Sequence, residues 1–224
     1  MRQDKFMTNP LISEIVTKIR ESGVIRKDGL LTFELAGISI EIDNKDVIGG
    51  ILQSWFGEWL KVNGFKDIQK ETQQFPDFQF NGDIWMELKT FDAEKSPSFD
   101  VANFASYIDS LLIKPQRLNS DYLIFSYIVH DSRISINDIW IKKVWEITGP
   151  SERNILNLQV KRNQPYNIRP KTWYSHNVET FNSRREFVNA LWRAGMHFET
   201  PKSCDNFWFD KVEYLFEERT GMKL

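Results

Sequence analysis

The chain has 224 residues, 41% hydrophobic and 14% aromatic, which is material for a sizeable core and too much for a disordered chain. A single cysteine, Cys204, excludes an internal disulfide, and no apolar run approaches the roughly 20 residues of a membrane span. The net charge of −2 hides an uneven distribution: residues 1–113 hold 12 Lys/Arg against 18 Asp/Glu, and residues 114–171 hold 10 against 5. The basic middle section is either a nucleic-acid-facing surface or a solvated face with uneven charge. The N-terminal stretch MRQDKFMTNP lacks the apolar region of a secretory signal. The expectation is a soluble intracellular protein that does not enter a membrane.

Taken in chain order, the first element is a helix. Thr8 or Asn9 can cap it, Pro10 suits its first turn, Leu11, Ile12, Ile15, Val16 and Ile19 form one apolar stripe, and Gly23 ends it. Residues 30–42 alternate like two short strands joined at Ala36-Gly37. Asp43 or Asn44 then caps a second helix over about 45–62, with Ile48, Ile51, Leu52, Trp55, Phe56, Trp59 and Leu60 as its buried face. A hairpin with Asn81-Gly82 at its tip follows, then a helix over about 99–113 and an apolar strand over 121–129 suited to the middle of a sheet. Residues 139–149 and 155–170 read as strands with a turn or short helix between them. Two helices, about 183–195 and 206–220, close the chain. With no repeat, low-complexity tract or linker, one domain over 1–224 is expected. Its class is mixed α/β or α+β, a central sheet flanked by helices.

The hairpin FPDFQFNGDIWMELKTFD, residues 75–92, places Asp77, Glu87 and Lys89 among aromatic and apolar neighbours. Loop length decides where those charges point. A two-residue loop pairs Phe80 with Asp83 and puts Asp77 on the face opposite Glu87 and Lys89. A three-residue loop of Phe80, Asn81 and Gly82 pairs Asp77 with Trp85, which brings Asp77 diagonal to Glu87 on one face. A bend at Pro76 would gather them too. Gathered, the two carboxylates suit a hard cation such as Mg²⁺, and Lys89 can orient or deprotonate an attacking water. Scattered, they are the solvated face of an edge hairpin.

Pro-Asp followed ten residues later by Glu-x-Lys on a strand resembles the PD-(D/E)xK nuclease superfamily. The wider run, from FPDFQF and MELKTFD through FDVANFASYIDSLL, DYLIFSYIV, IWIKKVWEITG, QVKRNQPYNIRP and FNSRREFVNAL, resembles the NgoBV-type family of bacterial type II restriction endonucleases over about residues 45–195. The resemblance implies a restriction-endonuclease-like fold and a cytoplasmic, Mg²⁺-dependent homodimer. That enzyme would cut both strands of duplex DNA at a short palindrome, possibly GGNNCC, with a cognate DNA methyltransferase acting on the same site. It implies Asp77, Glu87 and the carbonyl of Leu88 as metal ligands and Lys89 as the catalytic lysine. The superfamily often adds an acid from the preceding helix; Glu58 is the candidate here, with Glu41 and Glu71 as competitors.

For DNA contacts, Lys161, Arg162, Asn163, Gln164, Asn167, Arg169 and Lys171 fall in one strand-and-loop segment, and Arg or Lys with Asn or Gln is the usual base-reading set. The same residues would serve an ordinary polar loop. Lys114, Arg117, Arg184 and Arg185 are candidates for phosphate. His130, His176, His197 and Cys204 lack metal-ligand spacing. Two rival functions remain: a structure-specific repair nuclease or resolvase on the same fold, and a non-catalytic DNA-binding protein whose charged triad is only surface.

Overall fold

The computed structural model of the chain describes residues 8–42, 47–70, 75–130 and 132–224. These fall into two compact units, one of Met1–Ser96 with Asp121–Lys142, the other of Pro97–Ser120 with Lys143–Leu224.

In the first unit, helix α1 (Pro10–Glu21) starts where the sequence predicts. The Asn9 side chain accepts a hydrogen bond from Leu11 N, Pro10 occupies the first turn, and Ile12, Ile15, Val16 and Ile19 are buried. Strand β1 (Asp28–Leu30) and the hairpin of β2 (Thr32–Leu35) and β3 (Ile38–Glu41) follow. Helix α2 (Ile48–Val62) buries Ile48, Leu52, Phe56 and Leu60. Its predicted cap, Asp43 or Asn44, lies outside the described residues. Then come β4 (Ile68–Lys70), β5 (Phe78–Phe80) and β6 (Ile84–Asp92), and, after the excursion through the second unit, β8 (Asp121–His130) and β9 (Arg133–Lys142).

Six of these strands form one mixed sheet in the order β1-β9-β8-β6-β5-β4. The β6–β8 ladder is parallel and the other pairs are antiparallel. β8 is central, as its apolar sequence predicts. α1 and α2 share a core with the sheet, where the Phe56 ring meets Phe78 edge-on at 5.2 Å and Phe125 at 5.7 Å.

Two expectations need correction. The predicted strand 139–149 is β9 ending at Lys142, followed by a short helix, α4 (Val144–Ile147). Its start at Arg133 is hidden because a bulge at Asn137, opposite the Ser126/Tyr127 step, breaks the apolar alternation between Ile136 and Ile139. The predicted helix 99–113 begins only at α3 (Phe104–Leu111), because Ala102–Asn103 forms strand β7 and Asn103 then caps the helix.

The second unit joins β7 to β11 (Gln164–Ile168) and β11 to β10 (Leu158–Lys161) in a three-stranded antiparallel sheet. Helices α3, α4, α5 (Arg184–Phe198) and α6 (Trp208–Thr220) complete it. Ser183 caps α5 through Glu186 N, and Gly221 ends α6 in the left-handed region. No described helix is long and apolar enough to cross a membrane.

Phe56 lies where helix and sheet meet, fully buried. Phe56→Ala should therefore cost about 3–5 kcal/mol of stability. The check is the shift in the denaturation midpoint at constant slope.

Candidate active site

The β5–β6 turn decides the geometry. Phe80 pairs Ile84, Gln79 pairs Trp85 and Phe78 pairs Met86, so the loop is the three residues Asn81, Gly82 and Asp83. Asn81 and Gly82 both have positive φ, 50° and 81°. The loop is odd-numbered, the condition for gathering the charges, but lies one residue later than the predicted Phe80–Gly82. Continued past β5, this register sets Asp77 opposite Glu87, closer than the predicted diagonal. Asp77 N donates to Glu87 Oε2 at 3.2 Å.

Strand alternation does the rest. Met86 and Leu88 enter the core, while Glu87 and Lys89 point to the other face of β6. Lys89 Nζ donates to Glu87 Oε1 at 2.8 Å. Asp77 is held from two sides: Oδ2 accepts from Leu88 N and Oδ1 from Gln53 Nε2, both at 2.8 Å. Because a strand residue directs its N–H and C=O to the same edge, the carbonyl of Leu88 shares the edge on which Asp77 sits.

Glu87 is nearly buried. Burial first, and then the neighbouring charge of Glu87, push the Asp77 carboxyl up to about 7, against the opposing pull of Lys89 and the hydrogen bonds from Leu88 and Gln53. Two desolvated carboxylates with one lysine, bonded to Glu87, lack positive charge. Hard oxygen donors in that state fit a divalent cation of the Mg²⁺ type.

The structure does not bring Glu58 to this cluster. Glu58 is exposed and pairs with Lys61 at 2.7 Å, which holds its carboxyl below the ordinary value. The competitor Glu41 is exposed at the end of β3, and Glu71 lies outside the described residues. The α2 residue that does reach Asp77 is Gln53, which the sequence reading missed. Its only local signal is an amide on the flank of an apolar stripe. Among the described residues no group of three or more His, Cys, Asp or Glu side chains gathers.

The basic candidates of the second unit separate by what already engages them. The Arg169 guanidinium pairs with Asp100, and Lys171 Nζ donates to Pro150 O at 2.7 Å. Arg117 donates to Ser110 Oγ and lies 4.3 Å over the Tyr107 ring. Arg184, proposed for phosphate, is instead buried, bonded to Asn119 Oδ1 and stacked 4.3 Å from the Phe216 ring. Arg185 pairs with Glu213, and Asn167 is buried and bonded to Gln159. Lys161 covers the Tyr166 ring at 3.8 Å. Lys161 to Gln164 are all exposed, and Arg162 and Asn163 form a two-residue turn with φ of 52° and 60° at the tip of the β10–β11 hairpin. Lys114 is exposed ahead of a 3-10 turn, Pro115–Asn119.

The raised Asp77 value fixes a pH dependence. A carboxyl whose folded value exceeds its unfolded one destabilises the fold when ionised, so the penalty is full above about pH 7 and disappears as pH falls toward about 4. Metal-free protein should therefore gain on the order of 2–4 kcal/mol between pH 8 and pH 5 from this group. Glu87→Gln removes the like charge and should flatten that slope, and divalent cation at pH 8 should raise the melting temperature of wild type. Thermal melts across pH with EDTA or added cation test this.

Comparison with known proteins identifies the family. The sequence profile of the NgoBV restriction endonuclease family matches residues 11–224. The type II restriction enzyme NlaIV of Neisseria lactamica is 34% identical over 207 residues, 88% of this chain and 85% of that protein. The type II restriction enzyme NgoBV of Neisseria gonorrhoeae is 31% identical over 147 residues, 63% of this chain and 84% of that protein. The solved structure of the NlaIV restriction endonuclease superposes with a TM-score of 0.84 at 32% identity, covering 97% of this chain and 92% of that one. A profile match over nearly the whole chain, on the same fold, places this protein in the NgoBV family of type II restriction endonucleases.

Proposed function

We propose that this restriction endonuclease uses the Asp77–Glu87–Lys89 cluster to hydrolyse phosphodiesters in double-stranded DNA, with Mg²⁺ as its metal. The observation that carries the reading is the closed set of hydrogen bonds joining Asp77 to Leu88 N and Lys89 to Glu87. Asp77, Glu87 and the Leu88 carbonyl would hold the ion. Mg²⁺ bound there would neutralise charge on the scissile phosphate and lower the pKa of a coordinated water. Gln53 keeps the Asp77 carboxylate turned toward the ligand position. Lys89, which donates to Glu87 in this structure, is the residue that orients the water for in-line attack and stabilises the developing charge. The products are a 5′-phosphate and a 3′-hydroxyl.

Lys161, Arg162, Asn163 and Gln164 form the DNA-reading element, a two-stranded ribbon tip of a size that enters a major groove. Arg162 has the donor fork for a guanine O6/N7 pair. Arg169, Lys171 and Arg117 hold the second unit together in this reading, and the exposed Lys114 contacts phosphate. The target is a palindrome of the GGNNCC type, cut in the cytoplasm by a homodimer, with a cognate DNA methyltransferase protecting host copies of the site. The profile match from residue 11 to 224 supports treating the two units as one functional domain.

Incubated with plasmid DNA, wild type should give discrete bands with Mg²⁺ and none with EDTA. Lys89→Ala and Asp77→Ala should each lower cleavage by at least about 1,000-fold. Sequencing the ends gives site, stagger and end chemistry together. A smear or junction-dependent cutting would point to a structure-specific nuclease, and intact duplex with wild type would remove the reading.

Arg162→Ala should cost about 1–3 kcal/mol of binding to the cognate duplex and narrow the gap to a non-cognate one. Fluorescence anisotropy in Ca²⁺, with both duplexes at matched salt, measures it.

A further inference from the structure

In the second unit, residues 149–157 form a loop that is pinned at several points. Lys171 Nζ donates to Pro150 O at 2.7 Å, Ser151 N to Asn154 O at 2.8 Å and Asn157 N to Gly149 O at 2.8 Å. Gly149 lies so close to the next segment that a Cβ there would come within 2.3 Å of Glu179 O. Arg153 therefore stands on a fixed support. Facing it, α5 presents Arg193 and His197, four residues apart and so on one side of the helix. With Arg153 they line a cleft of about 220 Å³ floored by Ile155, Ala194 and Phe198. Arg153, Arg193 and His197 are all exposed. Arg169 and Arg185 are each tied to a carboxylate, whereas Arg153 and Arg193 pair with none among the described residues. The acids next in sequence, Glu152 and Glu199, do not line the cleft. Two guanidiniums in one cleft without a counter-ion leave a concentrated positive charge open to an anion.

We propose that Arg153 and Arg193 grip the DNA backbone on the flank of the recognition sequence, one phosphate between the two guanidiniums. The planar fork of a guanidinium matches phosphate oxygens two at a time, and the His197 ring N–H adds a donor. The apolar floor suits the C–H surface of the attached deoxyribose, which a free inorganic anion would leave uncovered.

The position of the loop selects DNA as the source of that phosphate. On its other side Arg153 lines a groove with Leu158 and Val160, residues of the strand that leads to the Arg162 turn. At about 3.3 Å per strand residue, Leu158 and Val160 lie roughly 7–13 Å before Arg162. At about 3.4 Å per base pair, that is two to four base pairs from the bases that Arg162 would read. The inference rests on the duplex-binding reading above and adds to it a contact outside the bases being read.

Fluorescence anisotropy in Ca²⁺ compares wild type, a chain with Arg153→Ala and Arg193→Ala, and a control with Lys202→Ala and Arg219→Ala. The control removes two exposed cations of the same unit that do not line the cleft. Each is titrated with two cognate duplexes, one ending at the recognition sequence and one carrying about ten base pairs, a helical turn, on each flank. Wild type and the control should bind the long duplex more tightly than the short one. The cleft variant should lose that preference, binding the long duplex about 10- to 100-fold more weakly at about 0.1 M salt. Its slope of log K against log salt should be shallower by about 2 per chain. The loss should be equal on a long non-cognate duplex, because backbone contacts carry no sequence. Arg153→Lys with Arg193→Lys keeps both charges and should recover most of the slope. Should the alanine chain fail to fold by circular dichroism, Arg153→Gln with Arg193→Gln makes the same measurement. A wild type indifferent to flank length would overturn the proposal, as would a control that loses as much. An unchanged slope in the cleft variant would assign the cleft to a free nucleotide and overturn it too. Because binding alone is read, a chain that prefers the long duplex yet leaves plasmid intact would remove the nuclease reading and leave the backbone grip standing.

Discussion

The Asp77 carboxylate is the point on which the site depends. It accepts from the backbone of β6 through Leu88 N and from α2 through Gln53, so one side chain ties a hairpin strand to the helix packed beside it. Neither hydrogen bond alone offsets the burial of a carboxylate with a second one next to it. Together they hold an arrangement whose electrostatics are unfavourable without a cation. The hydrophobic core makes this tolerable: Met86 and Leu88 are locked beneath the sheet, and Glu87 and Lys89 can go only to the other side. Fold stability thus maintains a local electrostatic deficit, a common signature of a binding position.

The secondary structure was legible where one segment carried its own pattern. α1 has a cap, a proline and an apolar stripe within one run, and β8 has ten residues of near-continuous apolar character. β1 and β4 were not legible, because three residues carry no period; Ile68–Lys70 is a strand because Phe78–Phe80 pairs with it. β9 departs from its expected bounds because the bulge at Asn137 shifts the phase of its isoleucines. These are tertiary facts, and no window of the sequence contains them.

The triad was legible as a condition, since parity alone says that an odd loop gathers Asp77 with Glu87. The position of that loop was not, since Asn-Gly serves several turns and the choice rests on which phenylalanines reach the core. Gln53 was invisible for a different reason: its partner is 24 residues away, and an amide has no preferred place on a helix. The DNA-facing candidates were legible only as a set. Their division into engaged and exposed side chains required knowing that Asp100, Pro150 O and Ser110 lie beside three of them.

The interrupted chain order of the two units has a kinetic consequence. The β5–β6 and β8–β9 hairpins are local and can close early, whereas the parallel β6–β8 ladder joins Met86 to Asp121 across a segment that belongs to the other unit. Closing so long a loop costs entropy before its contacts form, and parallel pairing is the slow kind. During synthesis, the strand bearing Glu87 and Lys89 leaves the ribosome well before the neighbour that completes its sheet. The carboxylate pair can therefore be assembled on a hairpin early, but it gains a rigid support only after the excursion through Pro97–Ser120 has been translated.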